Sequence, residues 1–286
     1  MKKQVILITG ASSGIGFQTA KLAAERGHTV IASAPDAALL NDVPQNATMK
    51  VVIDICKEQT IRDALLAIEQ AGLSITCLIN NAGYAQPGPM ELVDEARLRK
   101  QFDVNFFGTL AITRAVLPLL RTQGGGRIIT LSSMLGVVSL PYQGAYAASK
   151  FALEAAFEAL RMEVRDFNID VVLIEPGWIN TAFLKTAMAQ ASQQWLDDKT
   201  YGASLSRYFS ISTEAETDKP TGAAKIAAAM AGSPGLVAQT IVRALEAQHP
   251  KARYPVTAMA RWLPRLSRIV PTRMWDKMQT GQFAVK

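Results

Sequence analysis

The chain has 286 residues, 49% hydrophobic and 19% charged, with a formal charge of +6. At this length an α/β chain commonly builds one large core, and no apolar run approaches the roughly 18–20 residues of a membrane-spanning helix. The charge is uneven: residues 250–286 hold eight basic side chains against Asp276, a net +7, leaving −1 for residues 1–249, so the excess belongs to a C-terminal appendage and no nucleic-acid partner is expected.

The opening MKKQVILITG (1–10) has too short an apolar stretch, Val5 to Ile8, for the roughly 7-residue core of a signal peptide. It reads as a buried first strand, VILIT (5–9), of a cytoplasmic chain. Ile15 to Arg26 then has helical composition and stops at Gly27. TVIAS (29–33), KVVID (50–54), TCLIN (76–80), RIITL (127–131) and DVVLI (170–174) repeat the near-continuous apolar pattern of strands buried on both faces, each pair separated by enough chain for a crossover helix. Leu98 to Leu120 and Tyr146 to Phe167 are the longest helical candidates. Between Pro176 and Pro220 the pattern breaks: Trp178, Phe183, Trp195, Tyr201, Tyr208 and Phe209 are scattered among small and polar residues, predicting a helical lid at about 178–220 over a pocket. A helix follows at 234–248, and ARYPVT (252–257) predicts an edge strand, because Pro255 cannot serve in a central one. The expected fold is α/β: a doubly wound parallel sheet with helices on both faces, one domain over 1–257, and a basic amphipathic extension at 258–286.

TGASSGIG (9–16) lies where the first strand passes into its helix. Gly10, Gly14 and Gly16 remove β-carbons where a phosphate must approach, and the free N–H groups around Ser12, Ser13 and Ile15 can bind a pyrophosphate. Asp54 closes a later strand and NNAG (80–83) closes the next, at the carboxyl edge where such sheets bind ligands. In GAYAASK (144–150), Tyr146 and Lys150 stand four apart and so share one helical face, with Ala147, Ala148 and Ser149 too small to cover them. A free phenol has a pKa of about 10, and a nearby ammonium favours phenolate, so Lys150 is expected to tune Tyr146. Cys56 and Cys77 are too far apart for a local redox or metal motif and read as reduced thiols, and with His28 and His249 as the only histidines no metal site is expected.

TGASSGIG, NNAG, Asn105 in DVNFFG, Ser133, Tyr146, Lys150 and PGWINT (176–181) together resemble the short-chain dehydrogenase/reductase family, in order and spacing, over residues 5–257. The resemblance implies a Rossmann-type fold binding NAD(H) or NADP(H). It implies that Asp54 holds the adenine amine, that Asn80 lines the cofactor cleft with Ser33, Ile55, Ala82, Gly83, Pro176 and Gly177, and that Ile179 and Thr181 anchor the nicotinamide carboxamide. Tyr146 would exchange the proton as general acid/base, Ser133 (with Ser132 the adjacent alternative) would polarise the carbonyl, and Asn105 would hold a water linking Lys150 to solvent while Lys150 also bonds the nicotinamide ribose. The second strand ends in Ser33-Ala34-Pro35-Asp36 with no arginine or lysine for a 2′-phosphate, and an inward Asp36 would repel one, so NAD(H) is favoured.

The chain is similar in particular to the steroid- and retinoid-handling branch and to bacterial carbonyl reductases. That likeness and the aromatic lid imply a bulky apolar ketone, aldehyde or secondary alcohol as substrate, and a homodimer or homotetramer built on the two long helices. A redox-sensing binding protein would need the cleft without Ser133, Tyr146 and Lys150 together; a sugar-nucleotide epimerase or dehydratase would bring a different glycine spacing and a larger C-terminal domain. The tail MARWLPRLSRIVPTRMWDKM (259–278) mixes Trp262, Leu263, Leu266, Ile269, Met274 and Trp275 with basic residues. It reads either as packing beside the lid or a second subunit, or as a peripheral membrane contact.

Overall fold

In the computed structural model, residues 3–180, 182–215, 217 and 219–281 are described. Val5–Ile8 (β1) leads through the glycine turn into Gly14–Glu25 (α1), and Thr29–Ala34 (β2), Met49–Val52 (β3), Glu58–Gln70 (α2) and Cys77–Asn80 (β4) follow. Glu95–Phe102 (α3) passes through a π-helical turn, Asp103–Gly108, into Thr109–Thr122 (α4), after which come Gly126–Leu131 (β5), Gly144–Glu163 (α5) and Ile169–Glu175 (β6). Three helices, Ala182–Ala189 (α6), Gln193–Leu196 (α7) and Gly202–Glu214 (α8), occupy the segment where the sequence pattern breaks, and Gly222–Met230 (α9) follows it. The chain closes with Pro234–Glu246 (α10), Arg253–Pro255 (β7), Ala258–Ile269 (α11) and Thr272–Gly281 (α12).

The strands form one seven-stranded sheet in the order β3-β2-β1-β4-β5-β6-β7, every described pairing parallel. Period-two alternation explains why they are apolar throughout. Ile6 and Ile8 of β1 pack with Ala20 and Ala23 of α1 and with Val237, Ile241 and Leu245 of α10 on one face. Leu7, between them, points to the other face with Ile61 of α2, Ile112 and Val116 of α4, and Leu153 and Phe157 of α5. Pro255 sits in the edge strand, where its missing N–H breaks no ladder.

All of the anticipated strands form, with ends shifted by one or two residues, and the lid segment is helical where described. One difference concerns the long third helical stretch. By length and mean hydropathy Glu95–Thr122 could cross a membrane, but it is a core helix that buries Ile112, Val116 and Leu120 against the sheet. The buried Phe157 should be the costliest single truncation there: Phe157→Ala is expected to lower unfolding stability by about 3–5 kcal/mol, read from the denaturant midpoint at constant slope.

Candidate active site

A cavity of about 470 Å³ opens along the carboxyl edge of the sheet, lined at one end by the glycine turn and at the other by Tyr146 and Lys150. Two glycines show why the turn needs that residue. Gly14 has a φ of +55° and borders the cavity with nothing near its missing Cβ, whereas a Cβ on Gly16 would stand 2.2 Å from the Gly10 carbonyl oxygen. The helix α1 begins at an N-cap, Ser13, whose side chain makes no capping bond, so its first N–H groups are left for a ligand. Asn81 braces the turn, donating from Nδ2 to the carbonyls of Thr9 (2.9 Å) and Gly10 (2.8 Å).

Gly10, Ser12, Ser13, Gly14, Ile15, Asp54, Ile55, Ala82, Gly83, Pro176, Gly177 and Ile179 line the cavity as anticipated. The Asp54 carboxylate accepts the Cys56 N–H at 3.0 Å and pairs with Lys57 at 3.1 Å. Gly16 lies beneath the turn, outside the lining, and Thr181 falls outside the described residues.

Three other anticipated cofactor residues do not line the cavity. Asn80, the last residue of β4, points away from the cavity and donates to Thr113 Oγ1 (2.9 Å) and Thr130 Oγ1 (3.1 Å); strand alternation gives the cavity to Asn81 instead. Ser33 is wholly buried and supports the site only through its carbonyl, which accepts the Ala11 N–H at 2.7 Å. Asp36 is exposed and accepts the Leu39 N–H at 3.1 Å in its own turn, so it cannot repel a phosphate in the cavity, and Pro35 lines the wall in its place. Pro35, Ile53, Cys56, Tyr84, Val104 and Leu131 were missed because they are apolar or backbone contributors with no motif of their own.

At the far end, Tyr146 and Lys150 project from the first turns of α5, both nearly buried, with the ammonium 5.8 Å from the phenol ring centroid. Lys150 Nζ donates to the Leu131 carbonyl at the end of β5, 2.7 Å away. Ser133, two residues on, lies near enough to the Tyr146 hydroxyl to favour its ionised form, while its Oγ accepts the Leu135 N–H at 3.1 Å. Ser132, the adjacent candidate, also borders the cavity, with its Oγ on the Glu154 side. Burial pushes the Tyr146 phenol up to about 12, which the nearby Ser133 hydroxyl only partly offsets, the opposite direction to the downward tuning anticipated from Lys150. Burial likewise pulls the Lys150 ammonium down to about 8, against the upward pull of Glu154.

Asn105 sits in the π-helical turn, and its side chain is spent on the scaffold: Nδ2 donates to the Tyr84 carbonyl (2.9 Å) and Ser149 Oγ (3.2 Å), and Oδ1 accepts the Tyr84 N–H (3.0 Å). It borders Gly83, whose absent Cβ would also stand 3.9 Å from Lys150 Nζ, but no bond joins it to the lysine among the described residues. Behind Lys150 lies a group that sequence spacing alone did not flag. Glu154, one turn on, is held by Arg253 of the edge strand at 3.2 Å, and Arg253 is also 3.2 Å from Glu175 and 3.0 Å from Glu158. Burial raises Glu175 to about 7, with the Glu154 charge adding to it. The i, i+4 step from Lys150 to Glu154 was the available signal.

The lid differs from expectation in its aromatics. Trp195, Tyr208 and Phe209 pack into a cluster of their own with Leu92 and Val93, away from the cavity, because a short helical insertion needs a core to hold it. Phe183 and Thr186 of α6, with Ile179, are described lid residues at the cavity, Phe183 meeting the Tyr146 ring edge-on with centroids 5.8 Å apart. Inward residues of α11 and α12, Ala260, Leu263 and Trp275, join Met134, Val138 and Tyr146 in an apolar cluster beside it.

The family model described as short chain dehydrogenase matches residues 4–192. The chain is 36% identical to the uncharacterized oxidoreductase YbbO of Escherichia coli (strain K12), over 98% of this chain and 95% of that one. It is 42% identical to a 3-ketodihydrosphingosine reductase of Bacteroides thetaiotaomicron over 64% of this chain and 66% of the relative. It is 33% identical to human retinol dehydrogenase 8, covering 66% of this chain and 63% of the other. Among solved structures, a short-chain dehydrogenase from Streptomyces avermitilis superposes with a TM-score of 0.73 at 26% identity, each chain covered fully. One from Burkholderia cenocepacia, solved in complex with NADP, gives a TM-score of 0.73 at 25% identity over 97% and 98% of the two chains. With the family model spanning most of the chain, and a relative matched nearly end to end, this protein is an oxidoreductase belonging to the short-chain dehydrogenase/reductase family.

Proposed function

We propose that the protein interconverts a bulky apolar ketone or aldehyde and its alcohol, using NAD(H) or NADP(H), with Tyr146 as the proton donor and acceptor. The observation that carries this reading is the convergence of two hydroxyls, Ser133 and Tyr146, with the Lys150 ammonium in the same cavity as the glycine turn. A binding protein that only sensed a nucleotide would gain nothing from burying those groups together.

The residues present fit a dinucleotide. Gly10, Gly14 and the uncapped start of α1 suit a pyrophosphate, Asp54 an adenine amine, and Lys150 a ribose hydroxyl beside Tyr146. When bound, a nicotinamide supplies hydride to a carbonyl carbon or removes it from an alcohol. In reduction, negative charge develops on the carbonyl oxygen. Ser133 and Tyr146 are placed to donate to one such oxygen, and Tyr146, protonated throughout the neutral range, gives its proton to it. Lys150, largely charged at neutral pH, stabilises the phenolate left behind and lies close enough to restore the proton through a hydroxyl or water. Asn105 acts one layer out, fixing the loop at Tyr84 and the helix at Ser149 between which Lys150 lies.

Apolar substrate is supported by the walls: Phe183 edges the Tyr146 ring, and Met134 and Val138 stand in the adjoining cluster. The names of the reductase and retinol dehydrogenase relatives support a carbonyl–alcohol couple. For the cofactor, the cavity lining favours NAD(H). Among the described lining residues Lys150 is the sole cation and stands by Tyr146, so the Pro35 end carries none for a 2′-phosphate. The NADP-bound relative marks the alternative. A cytoplasmic enzyme agrees with two free thiols, Cys56 and Cys77, and a homo-oligomer built on the long helices agrees with exposed Phe107 and Leu119 on one and Phe151 and Met162 on the other.

Three measurements test this reading. In a panel of ketones, aldehydes and alcohols followed at the nicotinamide absorbance band, wild type should turn over bulky apolar members. Tyr146→Phe should bind cofactor with little change yet lose at least about 100-fold in kcat, and near-normal turnover in that variant would remove Tyr146 as the acid. Fluorescence titration should find tighter binding of NADH than of NADPH; the reverse order would overturn the cofactor preference. The third exploits linkage. Because Lys150 titrates near 8 when folded and at its ordinary 10.5 when unfolded, the unfolded chain holds the extra proton between those values, and the lysine's contribution to stability rises with pH across that window. The difference in urea midpoint between the cofactor-free wild type and Lys150→Met should therefore move steadily in favour of wild type from about pH 8 to pH 10, and a pH-independent difference would remove the lowered lysine.

A further inference from the structure

We propose that the outer face of the C-terminal helix pair, α11 and α12, is a docking surface for an anionic lipid bilayer. The claim goes beyond the catalytic reading and stands apart from it.

Helix periodicity sets the argument. On α11, Trp262, Leu266 and Ile269 recur at i, i+4 and i+7 and so fall within an arc of roughly 60°. They are 62%, 42% and 80% exposed, although the same helix buries Ala260 and Pro264 and turns Leu263 toward the cluster around Tyr146. Arg261, Arg265 and Arg268, also exposed, occupy the next arc round the helix, between the ridge and the buried Pro264, Arg268 lying on the side nearer the Glu175 carboxylate. Arg265 folds its guanidinium over the Trp262 ring, 5.2 Å from the centroid.

The order repeats on α12. Met274 and Met278 are 58% and 47% exposed, Trp275 beside them is buried, and Arg273 and Lys277 flank them on the other side. Both helices thus present buried face, apolar ridge and cationic flank in the same rotational sense. The described tail carries five cations against Asp276. Nothing in the fold requires such side chains in water, where the large apolar ones give up solvation entropy for no packing.

Charge complementarity selects the occupant. An anionic bilayer satisfies both halves of the surface, taking the ridge into its headgroup–acyl boundary while the arginines meet lipid phosphates. A second copy of this chain, docked by a two-fold axis through the same patch, would set one cationic row against its twin. Nucleic acid would match the cations but leave the ridge in water. The surface lies close to the cavity: a Cβ on the lining residue Gly177 would stand 3.2 Å from the Ala260 backbone nitrogen at the start of α11.

Co-sedimentation of the full-length chain with phosphatidylcholine vesicles, with and without phosphatidylglycerol, tests the assignment. Wild type should pellet only with the anionic vesicles and be released by salt. Ile269→Glu, and separately the pair Arg261→Gln with Arg265→Gln, should each reduce partitioning about tenfold or more. Both lie on exposed positions, and unchanged melting curves confirm that they fold; should a variant misfold, the lipid and salt dependence of wild type still decides the matter. The proposal is overturned if wild type stays in the supernatant with anionic vesicles, if Ile269→Glu binds as wild type does, or if that substitution instead splits an oligomer in sedimentation velocity, which would give the ridge to a second copy.

Discussion

The site depends on one hydrogen bond, from the Lys150 ammonium to the Leu131 carbonyl at the end of β5. A buried cation requires a partner, and this one comes from the backbone of a central strand, which cannot move without disrupting the sheet. The bond ties α5 to β5 at a fixed height. Tyr146 lies one turn before the lysine on the helix, and Ser133 two residues beyond the carbonyl on the chain. Fixing Nζ against Leu131 therefore fixes the distance between the two hydroxyls as well. The cost is visible in the lysine, whose proton is held less tightly than in water, and it leaves a group able to exchange protons near neutrality.

That strain is offset from behind. Glu154 favours the charged lysine, and Arg253 keeps the neighbouring carboxylates from repelling one another while joining α5 to β6 across the shortest strand of the sheet. An edge strand of three residues contributes little through its own ladder, so Arg253 gives β7 a reason to stay. The same residue thus supports the sheet edge and the charge balance of the site. Glu175, raised to about 7, shows the balance to be close: burial and the neighbouring Glu154 outweigh what Arg253 and Arg268 compensate.

What the sequence made legible follows from how local each signal is. Apolar strands, the glycine turn and the Tyr146–Lys150 step are written in consecutive residues, and the structure reproduces each of them. Asn80 was misread because NNAG holds two asparagines on opposite sides of a pleated strand, and composition alone cannot say which side faces the ligand. Asp36 was misread because an exposed carboxylate following a proline finds a nearby backbone N–H sooner than a distant cavity. Asn105 was placed correctly beside the lysine, but its bonds go to Tyr84 and Ser149, a consequence of the π-helical turn, which no residue pattern announced. The direction of the Tyr146 shift failed for a different reason: burial acts through the whole surroundings of a group, whereas the sequence showed only its one charged neighbour.

The division of labour in the molecule follows from the same physics. Proton and hydride chemistry tolerates little positional error, and the groups placed for it stand on strand ends and a core helix, where packing on both sheet faces holds them. Substrate shape is a looser demand, and it falls to segments added outside the sheet: Phe183 on α6, with the inward faces of α11 and α12 packed beside Tyr146. Such segments must find cores of their own, which is why the lid aromatics turn to one another and why Trp275 and Leu263 turn inward. Two short helices have only one inward side each, however, and the tail carries more large apolar side chains than that side can take. The remainder, Trp262, Ile269, Met274 and Met278, is left facing out amid arginines, so the packing that completes the cavity wall also creates the surface beside it.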